Sequence, residues 1–370
     1  MEASSLPIQD IWDEILDYAD SHTELKSFAL VCRAFVSRAQ MLLFHTVRAY
    51  RVGRRTALWL DGRRFPLMMS TDHLMDFYSH VPHLIGHIRE LSIDQVDAKT
   101  LAPIVQISWT SLRKVSFDHC REPLGSETLD LIGTLISLPT LHEISFTSFL
   151  WESHQLRTIL AKCGSAVRGL KFDLSGISDA DFTHLPAPID SHRPRITSVD
   201  LSNAGGIPDL LLHAKCPLDM SHLEHVAFLL RSSTGIPELL LNSKKTIRSL
   251  RFDGEEADIG SLDLGEFPIL SHIAFWRGAQ GLQNTFERSR SLNNLRTISY
   301  CHSSWDAEGP TLSLLDSIVS RSRLPALREV VVRVWASTLD SGYSDLRSAI
   351  EKKVPWLVQN GLLVVKIDRW

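Results

Sequence analysis

Leu112-Arg113-Lys114-Val115-Ser116-Phe117 and, 29 residues on, Leu141-His142-Glu143-Ile144-Ser145-Phe146 are built alike. An apolar residue is followed by two variable positions, a second apolar residue, one variable position and a third apolar residue. The last two apolar positions alternate with a polar one, the period of a short strand that buries one face. Working outward, the same spacing appears upstream as Ile88, Leu91, Ile93. Downstream it recurs at Val167, Leu170, Phe172; Ile196, Val199, Leu201; Leu223, Val226, Phe228; and Ile247, Leu250, Phe252. It continues at Leu270, Ile273, Phe275; Leu295, Ile298, Tyr300; and Leu327, Val330, Val332, with Leu362, Val365, Ile367 as an eleventh instance. Successive copies start 23 to 35 residues apart. A unit this short cannot bury its apolar face alone and does so by stacking on its neighbours, so the period predicts a solenoid.

The connectors between the strands carry helical periodicity. Leu129, Ile132, Leu135 and Ile136 share one face, as do Leu312, Leu315, Ile318 and Val319. Gly206-Ile207-Pro208-Asp209-Leu210-Leu211-Leu212 and Gly235-Ile236-Pro237-Glu238-Leu239-Leu240-Leu241 are near copies, each with Pro where a first helical turn needs no amide. Strand plus helix at this period resembles the leucine-rich repeat, over residues 88–370. That family places Asn or Cys three residues after the last apolar position. Here only Cys120 conforms, against Val96, Phe149, Ser175, Ala204, Arg231, Glu255, Gly278, Ser303 and Trp335 elsewhere. The turn after each strand is therefore expected to be held in another way, and the array to be irregular. A parallel β-helix is the competing architecture, and it would not need helical connectors.

The side chains that alternate with the core positions are expected to line a concave face, the surface by which solenoids engage partners. Its candidate substrate-binding residues are Lys171, Asp173, Asp200, Arg251, Asp253, Trp276 and Arg333, with Trp335 nearby. Mixed charges around a large aromatic suit an anchor with a specificity-setting rim. The alternative is that these positions are polar for solubility and that the charges pair with one another.

Ahead of the repeats lies a different pattern. Ile8, Ile11, Trp12, Ile15, Leu16 and Ala19 recur at helical spacing, with Asp10, Asp13, Glu14 and Asp17 on the other face. Ser21 and Glu24 stand in capping-box spacing at the start of a second helix, whose apolar face runs Leu25, Phe28, Ala29, Cys32, Phe35, Val36. Ala39, Leu42, Leu43 and Phe44 form a third apolar stretch. Leu6-Pro7 opening an isoleucine-rich helix, then Leu30 to Phe35, then Leu43-Phe44 resembles the F-box, most of all its fungal form. Gln9 stands where that family usually carries Glu, and Phe44 where many members have Trp. The expected fold is α/β: a three-helix F-box over residues 1–47, a connector and first helical cap over 48–87, and an irregular leucine-rich-repeat solenoid of ten to eleven strand-helix units over 88–370. Within the connector, Arg48, Arg51, Arg54, Arg55, Arg63 and Arg64 flank Trp59. That run reads either as a patch for an acidic partner or as a solvated link.

Composition narrows the functional classes. With 370 residues, 44% of them hydrophobic, the chain can bury a substantial core. Lys plus Arg is 39 against Asp plus Glu 43, a net charge of −4, which gives no electrostatic case for nucleic acid or an acidic membrane. Five scattered cysteines, without a signal-peptide pattern or an apolar run of membrane-spanning length, point to the cytoplasm or nucleus. No phosphate-binding glycine loop, nucleophile elbow or His-Glu-x-x-His occurs. His80, His83 and His87 come nearest to a metal constellation, but Pro82 interrupts their helix, and no metal or other cofactor is expected.

The resemblance implies a division of labour without catalytic residues. The F-box would dock the Skp-family adaptor of a cullin–RING ubiquitin ligase, and the repeats would hold a protein substrate for ubiquitylation. By resemblance the adaptor contact falls to Leu6, Pro7, Ile8, Ile11, Ile15, Leu16, Leu30, Val31 and Phe35. Two other classes stay open: an adaptor-binding scaffold that delivers no substrate, and a β-helix hydrolase, hinted at only by the series Asp94, Asp118, Asp173, Asp253.

Overall fold

The chain, seen in a computed structural model, is described over residues 8–19, 21–51, 66–120, 124–179, 182, 193–229, 235–253, 263–276, 283, 286–289, 292–303, 311–322, 324–336 and 343–369. Contacts divide it into two compact units, Met1–Thr147 with Lys162–Ala166, and Ser148–Ala161 with Val167–Trp370.

The first unit opens with α1 (Ile8–Asp17), α2 (His22–Val31) and α3 (Arg33–Leu43). The Ser21–Glu24 capping box forms: Ser21 Oγ accepts from the Glu24 amide and the Glu24 carboxylate accepts from the Ser21 amide. The second helix is shorter than its apolar pattern suggested. Cys32 adopts an extended conformation (φ −157°, ψ 161°), ending α2 and starting α3, so Phe35 and Val36 belong to a new helix. Leu16, Ala19, Leu25, Phe35 and Leu43 pack into one core, flanked by Phe28, Leu42 and Phe44. Phe35 meets Trp12 of α1 and Phe28 of α2 edge-on, with centroids 5.3 and 5.9 Å apart. The Arg38 guanidinium forks onto the Asp17 carboxylate, tying α3 to α1.

Five parallel strands follow within this unit: β1 (Thr46–Tyr50), β2 (Leu67–Ser70), β3 (Glu90–Asp94), β4 (Lys114–Asp118) and β5 (Glu143–Thr147). They are ordered β2-β1-β3-β4-β5. The sheet thus begins ahead of the first repeat read from the sequence. The connectors are helical: α4 (Thr71–His80), α5 (Pro82–Ile85), α6 (Ala98–Ile104) and α7 (Ser126–Ile136). Phe44 stacks on Phe77 of α4 at 5.1 Å, joining the bundle to the first repeats.

The second unit carries a short pair, β6 (Leu150–Trp151) with β8 (Gly176–Ile177), and a run of eight parallel strands. These are β7 (Gly169–Asp173), β9 (Ser198–Leu201), β10 (His225–Leu229), β11 (Ser249–Asp253), β12 (His272–Trp276), β13 (Thr297–Ser303), β14 (Glu329–Ala336) and β15 (Leu363–Arg369), side by side in chain order. Among the described helices of this unit are α8 (Ser153–Leu160), α9 (Ile207–Leu212), α10 (Ile236–Asn242), α11 (Thr311–Arg321), α12 (Tyr343–Lys353) and α13 (Pro355–Gln359). All eleven expected strands are present, and the alternation of strand and helix is that of a leucine-rich-repeat-like solenoid, not of an all-strand β-helix. The apolar triads form the core: all are buried except Leu327 and the triad of the edge strand β15, which has one neighbour to pack against. Aromatic closing residues stack from repeat to repeat, Phe117 on Phe146 at 5.4 Å and Phe252 on Phe275 at 5.2 Å.

Two backbone devices replace the missing Asn ladder. At strand entry one carbonyl accepts two consecutive amides of the next repeat. Arg89 O takes the amides of Arg113 and Lys114, Arg113 O those of His142 and Glu143, and Arg248 O those of Ser271 and His272. At strand exit Gln95, His119, Ser148, Leu174 and Asn203 all have positive φ, between 49° and 61°. The left-handed turn aims the amide of the first four at the next repeat: Gln95 N to Asp118 O, His119 N to Thr147 O, Ser148 N to Asp173 O and Leu174 N to Ser202 O. The residue after it then turns inward, and Val96, Phe149, Ser175 and Ala204 are buried. No helix among the described residues is long and apolar enough to cross a membrane.

Candidate functional site

Two surfaces concern function, one in each unit. On the bundle the expected adaptor contacts divide. Leu6 and Pro7 lie outside the described residues, as does the side chain of Ile8. Leu16 and Phe35 are buried in the bundle's own core, so they support the surface from beneath and offer no area to a partner. Ile11, Ile15, Leu30 and Val31 are exposed, at 45, 41, 88 and 69% of their free area. Ile11 and Ile15 are one helical turn apart on α1, with Tyr18 on the same stripe, and Leu30 and Val31 end α2. Gln9, which stands where the F-box that the bundle resembles usually carries Glu, donates to Asp13 at 2.8 Å and to the Ala34 carbonyl at 3.2 Å. Its amide therefore bridges α1 to the start of α3, a donation no carboxylate could make.

In the second unit the face of the sheet away from the core carries a charged network. Asp200 accepts from Arg251 at 3.1 Å and from Ser202 Oγ at 2.7 Å, and Lys171 Nζ lies 3.8 Å away. Lys171 and Asp200 are register partners on neighbouring strands. Arg251 is two strands from Asp200, across Ala227, which is in register with both. Two strand spacings are about 10 Å, within the reach of an arginine over a side chain as small as Ala. Asp173 joins them electrostatically. Burial pushes its carboxyl above the usual carboxylate range and Asp200 adds to this, while Lys171 and Arg251 pull the other way. The expected charges thus satisfy one another around Asp200. Asp253 and Trp276 are register partners on β11 and β12, with side chains outside the described residues.

Arg333 stands apart from that network. It is exposed on β14, and its register partner is Lys366 of β15, also exposed. Neither makes an ion pair among the described residues. Nearby, the imidazole of His272 is held less basic than usual, by burial first and then by Arg333 and His225, with Glu329 opposing. Lys366 was missed from the sequence, although the Leu362, Val365, Ile367 pattern places it between two core-facing positions.

In the first unit Arg48 of β1 is absorbed by the sheet: its guanidinium lies 3.6 Å from Asp118 and 3.9 Å from Asp94. Ser92 Oγ donates to Asp118 at 2.8 Å. Arg51 pairs with Asp97 at 3.1 Å, and Arg54, Arg55, Trp59, Arg63 and Arg64 lie outside the described residues. His80 contacts Asp76 at 3.2 Å at the exposed end of α4, and no metal-binding group of three His, Cys, Asp or Glu occurs among the described residues. No protein-family model matches the chain, and no curated protein matches it significantly.

Proposed function

We propose that the chain is the substrate-recognition subunit of a Skp–cullin–F-box type ubiquitin ligase. In this reading the helical bundle docks a Skp-family adaptor and the strand-helix repeats hold a protein target. The supporting observation is the exposure of Ile11, Ile15, Leu30 and Val31 on a bundle whose core is already filled by Leu16, Ala19, Leu25, Phe35 and Leu43. Large aliphatic side chains left in water on a packed element are what a groove in another protein would cover. Burying each fully is worth roughly 1.5–3 kcal/mol, so four of them offset the ordering cost of a sub-micromolar contact. No residue of this chain performs chemistry; the ligase reaction is promoted by holding a target near a charged conjugating enzyme.

The test is co-purification with a Skp-family adaptor. Ile11→Asp with Leu30→Asp should abolish it while circular dichroism stays that of the wild type, since both positions are exposed. Retained binding would refute the docking surface. Delivery is tested by target turnover in cells: adaptor binding without it identifies a scaffold.

A further inference from the structure

The pairing of Arg333 with Lys366 runs against the usual rule of sheet construction. Residues directly opposite on neighbouring strands bring their Cβ atoms to about 5 Å, and like charges there are unfavourable. Elsewhere on the same sheet the charges of this face are compensated, as with Lys171 and Arg251 around Asp200. Here both cations are exposed, neither has a carboxylate within ion-pair distance among the described residues, and β15 ends the order of strands. The third group nearby, His272, feels Arg333 and His225 as neighbouring positive charge, with Glu329 the opposing carboxylate.

We infer that Arg333 and Lys366 form a two-pronged anion clamp for an acidic segment of a protein partner. The inference rests on the reading of the repeats as a substrate-holding surface and gives that substrate a chemistry. A guanidinium and an ammonium borne on adjacent strands about 5 Å apart can grip one or two carboxylates of a peptide laid across the strands. A polynucleotide is the poorer fit, because a chain of net charge −4 repels a long polyanion while two local cations still attract a short acidic stretch.

The test uses the full chain, a fluorescent oligo-glutamate peptide, its oligo-glutamine counterpart and a single-stranded oligonucleotide. The oligo-glutamate peptide should bind saturably and more weakly as salt rises, and the glutamine peptide should not. Arg333→Glu with Lys366→Glu should weaken binding by roughly tenfold or more. The milder Arg333→Gln with Lys366→Gln should also weaken it, while leaving the melting temperature level or raised because a like-charge pair is gone. Bound peptide should make His272 more basic in an NMR titration, a response that a purely structural Arg333 would not give. Binding unchanged in both variants, no binding by the wild type, or preference for the oligonucleotide would overturn the inference. The assay contains no adaptor, so its failure leaves the docking proposal standing, and loss of adaptor binding leaves the clamp to be judged by itself.

Discussion

Among the described residues with positive φ, Leu174 carries the side chain least suited to that backbone. It occupies the left-handed region at φ 49° with its side chain 61% exposed, where the equivalent positions hold Gln95, His119, Ser148 and Asn203. A left-handed conformation costs an ordinary residue about 1–2 kcal/mol, and asparagine less, because its short polar side chain bonds locally. Leu174 keeps the conformation because its amide must reach Ser202 O at 3.0 Å to continue the exit ladder. Leu174→Asn should therefore raise stability by about 0.5–1 kcal/mol in urea unfolding, with little burial lost; a decrease would show that Leu174 is held by contacts of its own. None of this was legible in the sequence. Asn or Cys in the following position marks the turn in the leucine-rich repeats that this array resembles, whereas here the backbone holds it and the side chains drift from Val96 to Ser175.

At the scale of the element, helical periodicity identified α1 as amphipathic but did not say which of its apolar residues face inward. Ile11, Trp12, Ile15, Leu16 and Ala19 span a stripe wider than the bundle can cover, and the structure buries Leu16 and Ala19 while exposing Ile11 and Ile15. The break at Cys32 was equally hidden, because Cys32 and Phe35 keep helical spacing across it. A contrast between two leucines checks the assignment. Leu16→Ala opens a cavity in the core and should cost about 2–5 kcal/mol in thermal or urea unfolding of the bundle. Leu30→Ala should shift stability by no more than about 0.5 kcal/mol. Only the second should weaken adaptor binding in proportion to the area it removes. If the two cost the same in stability, Leu30 is not presented to solvent.

At the scale of the molecule the repeat period was the most legible feature, because every strand of the main sheet from Glu90 to Arg369 carries its own copy of the spacing, the short β6–β8 pair standing outside it. Among the strands that escaped, β1 obeys it too: Phe44, Val47 and Ala49 stand at the same intervals, and Val47 and Ala49 pair in register with Leu91 and Ile93. It was hidden because Phe44 also closes a helical stretch and because alanine is a weak marker of a buried strand. The candidate sites were legible as surfaces and not as contacts, since periodicity gives a side chain's face but not its partner across two strands. The two surfaces lie in different compact units and share no residue, so perturbing one should not alter the other. Independent sites add to within about 0.3–0.5 kcal/mol. The fourfold variant Ile11→Asp, Leu30→Asp, Arg333→Glu, Lys366→Glu should bind oligo-glutamate as weakly as the Arg333→Glu, Lys366→Glu pair alone. That pair should in turn bind the adaptor as tightly as the wild type in calorimetric titration. A change in adaptor affinity on altering Arg333 and Lys366 would mean that the repeats feed back on docking, and the division of labour would have to be replaced by a coupled mechanism.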